Sequence, residues 1–363
     1  MKKLKHLLAI LLTLALALGA LTACAGTPVS TADADTTAAP EPTAAPETTA
    51  APEAEAPAMV KTGLYIGTDI SESKSASAEA DGQAKYDVTV VAVTVNDQGV
   101  IESCVINSIP ATVKFSAAGA ITSDLTATVP TKGEMGEAYG MKAYGGSKYE
   151  WNEQVAALAK YAVGKTVDEL KNGAVDETGH AADADLASTA SIYLGGYVAG
   201  IEAAVNNAQH LGAQSGDKLV LATVNSLGSS KDATAEKAGA AQLDAYVTAM
   251  TMNGDVISSC YIDSIQAKIA FDAAGAVTTD LTAPVQTKNE LGENYGMKAY
   301  GGAKFEWNEQ AAAFAAYVTG KTAAEVAGIA VNEKAAPADA DLAATVTISI
   351  GDFQALIAKA AAQ

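Results

Sequence analysis

Tyr139-Gly-Met-Lys-Ala-Tyr-Gly-Gly146 returns letter for letter as Tyr295-Gly-Met-Lys-Ala-Tyr-Gly-Gly302, a shift from 139 to 295 of 156 positions. Outward from this octapeptide, Glu150-Trp-Asn-Glu-Gln154 returns as Glu306 to Gln310. Further on, Asp185-Leu-Ala-Ser-Thr-Ala-Ser191 returns in altered form as Asp341-Leu-Ala-Ala-Thr-Val-Thr347. The shift holds without gaps from Val100/Val256 onward. Solenoid units run roughly 20 to 50 residues, so a period this long has the size of a whole domain. The chain is expected to be two tandem homologous modules, residues 61–208 and 213–363, and any function must be explained once and then doubled.

Each module reads as α+β, an antiparallel β-rich part packed with helices. Tyr86 to Val95 is a β-branched run, followed by the turn Asn96-Asp-Gln-Gly99 and a second strand from Val100 to Ile109. The second copy shortens the turn to Asn253-Gly254-Asp255, a strong hairpin signal. The stretches from Lys114 and from Ala270 predict another short hairpin. Trp151, Val155, Leu158 and Ala162, matched by Trp307, Ala311, Phe314 and Val318, form one apolar helical face. Gly164 and Gly320 end that helix, and Thr166-Val-Asp-Glu169 and Thr322-Ala-Ala-Glu325 open a short one with a capping box. The intervening Gly-Lys-Thr is not a phosphate loop, because Ala159 and Ala315 stand where that motif needs a glycine. An Ala-rich helix closes each copy, to about Asn207 and from Phe353 to Ala362.

Residues 1–23 read as an export signal. Lys2, Lys3 and Lys5 precede the apolar run Leu7 to Leu18, and Leu21-Thr-Ala-Cys24 closes it with small residues. A Cys after Leu-x-Ala resembles the bacterial lipobox, which implies lipid attachment at Cys24 and anchoring on the outer face of the cytoplasmic membrane. A plain signal peptide with an incidental Cys is the alternative. Residues 24–60 are mostly Ala, Thr, Pro and Glu, a composition that cannot bury a core and is expected to be a disordered tether.

The formal net charge is −19, and the leader holds lysines but no acid. Such a surface repels nucleic acid and anionic lipid, so no nucleic-acid partner is expected. Besides Cys24 there are Cys104 and Cys260, one per module at equivalent positions in apolar runs, expected to be buried free thiols. Without a CxxC, covalent haem and iron–sulfur centres are excluded. Three histidines, one of them in the leader, and no histidine opposite His180 in the second copy, argue against a metal site.

The two heptapeptides share an Asp, small residues and a hydroxyl six positions on. They resemble the flavinylation motif of the FMN-binding domain family, which includes the C subunit of the sodium-pumping quinone reductase and extracellular electron-transfer lipoproteins. That pattern is roughly Asp-x-x-(Ser/Thr)-(Gly/Ala)-Ala-(Thr/Ser). The lipobox, the tether, the paired modules and the Tyr-Gly-Met-Lys…Glu-Trp-x-Glu-Gln stretch extend the resemblance over most of the chain. It implies covalent FMN, joined through its phosphate to Ser191 and Thr347 by a separate flavin transferase, and an electron carrier rather than an enzyme in its own right. A membrane donor and an external acceptor are then expected partners. Asp185, Ser188, Thr189, Asp341 and Thr345 would complete the two binding segments. Thr189 and Thr345 depart from the usual Gly or Ala, Ala344 from the middle hydroxyl and Val346 from Ala.

The residues allow other readings. Ser188, Ser191 and Thr347 would equally suit capping or preceding the last helix; on the cofactor reading, that helix would aim its first N–H groups at the phosphate. Lys142 and Lys298 are candidates for meeting the phosphate or the flavin's electron-rich edge, or are plain turn residues. Tyr144/Tyr300 or Trp151/Trp307 would cover the ring, or pack in the core. For the whole chain the alternatives are a lipoprotein that binds a small ligand or cell-wall component without redox chemistry, and a structural surface spacer.

Overall fold

The computed structural model describes residues 57–363; the leader, Cys24 and nearly all of the tether lie outside the described residues. Val60 is buried, and Met59 pairs with Gln214, so the fold begins slightly before residue 61. No described helix is long and apolar enough to cross a membrane.

The architecture is α+β with two three-stranded antiparallel sheets. Strands β1 (Lys61–Asp69), β2 (Gly82–Val95) and β3 (Ile101–Phe115) form the first, in chain order. Helices α1 (Lys132–Met135), α2 (Trp151–Ala162), α3 (Val167–Gly173), α4 (Ala184–Thr189) and α5 (Gly195–Asn206) follow. The order then recurs: β4 (Lys218–Ser226), β5 (Gly239–Asn253) and β6 (Val256–Phe271), with α6 (Lys288–Leu291), α7 (Met297–Gly301), α8 (Trp307–Val318), α9 (Ala323–Ala327), α10 (Ala340–Ala343) and α11 (Gly351–Ala361). The hairpin at Gly254, the apolar helices, the glycine stops and the capping boxes at Thr166 and Thr322 are all present. Strands β1 and β4 extend the sequence reading, which begins its strands at Tyr86. Gly63 and Gly67 interrupt the pattern of β1, and a Cβ on Gly63 would lie 2.0 Å from the Ala204 carbonyl of α5. The glycine is there to let the helix lie close on the strand.

Strand alternation sets the layers. In β2, Tyr86, Val88 and Val90 face the second sheet, while Val91 and Val93 face the helices of their own repeat. One core therefore lies between the two sheets and draws on both repeats. A second and a third lie between each sheet and its helices. The middle contacts are reciprocal. Phe115 and Phe271, equivalent residues, stack at 4.1 Å with planes 5° apart. Ala76 N–H donates to Gly275 and Ala233 N–H to Gly119, both at 2.8 Å. This i-to-j, j-to-i exchange is what a two-fold interface produces between identical subunits, here within one chain.

Candidate functional site

The two heptapeptides begin as short helices. The N-caps are Asp183 and Asp339, whose carboxylates accept the N–H groups of Asp185 and Leu186, and of Asp341 and Leu342. Asp185 and Asp341 stand exposed in the first turn. Leu186 and Ala190, like Leu342 and Val346, point into the core at i, i+4, so Val346 replaces Ala as a packing residue. The Ser188 hydroxyl donates to the Asp185 carbonyl at 2.7 Å and the Thr345 hydroxyl to that of Leu342 at 3.3 Å, while Thr189 ends α4.

Ser191 and Thr347 lie just beyond these helices, exposed. They do not cap the last helix: its N-cap is Leu194 in one copy and Ile350 in the other, without a side-chain bond. Their partner is a glutamine the sequence reading passed over. Gln154 Oε1 accepts the Ser191 N–H at 2.8 Å, the Ser191 hydroxyl at 3.3 Å and the Ile192 N–H at 3.1 Å. Gln310 Oε1 does the same for Thr347 (2.8 and 3.1 Å) and Ile348 (3.2 Å). Both glutamines are fully buried. Their amides donate the other way, to the carbonyls of Tyr149 and Phe305 at 3.0 Å, and Gln154 also to the Ser147 hydroxyl. The signal was in the chain: each Gln closes the repeated pentapeptide, a polar residue three positions after the Trp of the apolar face.

The repeated octapeptide is fastened beside it. Buried Glu150 accepts the N–H groups of Met141 and Lys142 at 2.8 and 3.1 Å, and Glu306 those of Met297 and Lys298 at 2.8 and 3.0 Å. The ammonium groups of Lys142 and Lys298 are taken up by acids. Lys142 lies 3.6 Å from Glu153 and 3.7 Å from Glu137, Lys298 3.2 Å from Glu309 and 3.8 Å from Glu293. The bond to Glu309 raises the Lys298 pKa. Tyr144 and Tyr300 are almost wholly exposed, whereas Trp151 and Trp307 are core residues.

Part of the expected anion site at the start of the last helix is already taken. The N–H groups of Leu194 and Gly195 both donate to the Gly179 carbonyl, at 2.7 and 3.1 Å, and that of Ile350 to Ala335. Two cations that each face more than one aromatic ring are Lys132 and Lys288, which sequence reasoning did not single out. Lys132 lies over the rings of Tyr139 and Trp151 and 3.7 Å from Asp87, in an open cleft of about 440 Å³ with Met141, Ile192 and Tyr197. Lys288 sits over Tyr246, Tyr295 and Trp307 at 4.8–5.3 Å. Burial pushes its pKa down to about 8, against the pull of Asp244, Asp263 and Asp352.

No family model, curated protein or solved structure matches this chain. The site is therefore read from its own geometry. A second pair of equivalent grooves lies on the other side of α2 and α8, about 360 and 530 Å³, lined by Cys104, Asn152 and Ala159 in one and Cys260, Asn308 and Ala315 in the other. Both cysteines are free; Cys260 is buried as expected, whereas Cys104, expected to be buried, is half-buried at the groove, and burial pushes both thiols up to about 12. The side-chain oxygens of Asn152 and Asn308 are buried without a hydrogen-bond partner. His180 is a loop residue bonded to Thr178 and edge-on to Tyr193. Among the described residues no three metal-ligating side chains cluster.

Proposed function

We propose that this protein is an exported, lipid-anchored flavoprotein that carries FMN as a phosphoester on Ser191 and Thr347. It would relay electrons from a membrane donor to an external acceptor. The observation that carries the reading is the pair of exposed hydroxyls, each held with its backbone by a wholly buried glutamine. An attachment hydroxyl must be reachable by a transferase and still enough to be recognised; a helix-capping role needs neither. Residues suited to the group stand nearby. The cleft beside Ile192 has aromatic walls and a cation, Lys132, with Ser191 one residue away. The bound flavin supplies reversible one- and two-electron chemistry. The chain's part is to position it, with Gln154 and Gln310 fixing the attachment segment and Glu150 and Glu306 fixing the loop beside it.

The test is an intact mass and a visible spectrum of the protein coexpressed with a flavin transferase. Two FMN adducts are expected, one lost in Ser191→Ala and the other in Thr347→Ala. A colourless protein without adducts refutes the reading. A second reading, a lipoprotein that binds a small ligand without redox chemistry, is favoured by the grooves with the orphaned oxygens of Asn152 and Asn308. It predicts that same colourless protein.

A further inference from the structure

The aromatic cleft beside Ser191 and the space beside Thr347 are built from different residues at equivalent positions. In the first repeat Thr89 and Gly196 stand across from Trp151 and Tyr197, and the cleft between them is open. In the second, the equivalents of Thr89 and Gly196 are Tyr246 and Asp352, facing Trp307 and Phe353. The Tyr246 ring occupies the gap: it lies 6.4 Å from Trp307 and 5.8 Å, edge to face, from Phe353, and those two are 5.9 Å apart. Edge-to-face rings at such distances form a packed aromatic cluster. A Cβ placed on Gly196 would meet only the Tyr193 ring, at 3.8 Å. The first cleft thus has spare room where the second repeat carries a carboxylate. Tyr193 itself, which borders the first cleft, is Ser349 in the second.

We propose that the two repeats are unequal flavin sites: the cleft between Thr89, Trp151 and Tyr197 seats a planar isoalloxazine ring, while Tyr246 fills the corresponding place and leaves a ring linked at Thr347 outside. The proposal rests on the flavin reading above. The first cleft, at about 440 Å³, falls within the usual size of small-ligand sites. It offers the Tyr139, Tyr193 and Tyr197 rings for stacking, Trp151 being only 3% exposed, and the Lys132 ammonium for the ring's electron-rich edge. In the second repeat Lys288 is covered by three rings of the protein itself. The two sites then differ in solvent contact and in stacking, which makes the carrier a pair of distinct stations instead of two copies of one. Thr89 and Tyr246 are the positioning residues that decide it.

The test uses two single-site proteins made with a flavin transferase, Thr347→Ala and Ser191→Ala, each with one adduct by mass. Flavin emission is read, because stacking on an aromatic side chain quenches it. A stacked aromatic contact leaves roughly one ring in six unstacked, so the Ser191-linked flavin is expected to be about sixfold dimmer than the Thr347-linked one. Thr89→Tyr should restore its emission, and Tyr246→Thr with Asp352→Gly should dim the other. Equal emission from both, unmoved by Thr89→Tyr, overturns the proposal. Should neither protein carry an adduct, the covalent reading fails by itself, and FMN titrated into unmodified Trp307→Phe protein decides the cleft. Saturable quenching of Trp151, weakened about fivefold or more by Thr89→Tyr, supports it. Absent quenching, or quenching indifferent to Thr89→Tyr, overturns it.

Discussion

Asp263 and Asn107 are equivalent residues doing one task with different chemistry. Asn107 Oδ1 accepts the N–H groups of Ser108 and Gly133 at 2.9 and 3.0 Å, and its amide donates to the Thr131 hydroxyl at 3.0 Å. Asp263 Oδ1 accepts the N–H groups of Ser264 and Asn289 at 2.7 and 3.1 Å, but it is a carboxylate only 8% exposed. Burial pushes its pKa from 3.8 to about 6, against those bonds and with Glu290 adding repulsion. The native state therefore holds the proton more tightly than the unfolded chain. Stability is greatest below the unfolded pKa and falls as pH rises from about 4 to about 6. At about 1.36 kcal/mol per pH unit this amounts to about 3 kcal/mol at pH 7. Asp263→Asn copies the first repeat and removes the charge. Lys288 loses one of its three neighbouring carboxylates, which sets the expected gain at about 2 kcal/mol. Urea unfolding at pH 4, 5, 6 and 7 reads it: the variant should be more stable at pH 7, with the difference shrinking toward zero at pH 4. A variant no more stable at pH 7, or a gain independent of pH, refutes the reasoning.

Three further outcomes follow from the packing. Phe271→Ala removes a fully buried ring from the shared core and should cost about 3–5 kcal/mol. Because Phe115 of the other repeat loses its partner, the midpoints reported by Trp151 and by Trp307 should fall together; separate midpoints would mean the repeats unfold independently. Ala335 holds a left-handed φ of 58° where the first repeat has Gly179. Ala335→Gly should stabilise by about 0.5–1 kcal/mol in the same assay, whereas Gly179→Ala would drive a Cβ to 2.2 Å from Tyr193 and destabilise. Gln310→Ala strips the acceptor from the N–H groups of Thr347 and Ile348 and should cost about 3 kcal/mol. Amide exchange at those two residues should quicken more than at Ser191 and Ile192, where Gln154 remains.

Much of the fold was legible because local chemistry wrote it. Asn253-Gly254-Asp255 set a tight turn, Trp151 to Ala162 kept one apolar face, and Thr166 and Thr322 met their glutamates three residues on. Repetition also marked the segments around Ser191 and Thr347 before any coordinate did. What stayed hidden depends on partners far apart in the chain. Strand β1 has glycines in its interior because helix α5, over a hundred residues later, lies on it, so its pattern reads poorly alone.

The division is sharpest at the site. Sequence by itself determined the doubling, the α+β composition and the two hydroxyl segments, since each is carried by residues near one another or by identity between copies. Tertiary structure decided that the two sheets share one core, because apolar alternation says which side of a strand is buried but not what covers it. It also decided that Gln154 and Gln310, 37 residues before their partners, hold the hydroxyls. And it decided that Tyr246 closes in the second repeat what Thr89 leaves open in the first, since the effect of a side chain's volume depends on which rings the fold sets opposite it.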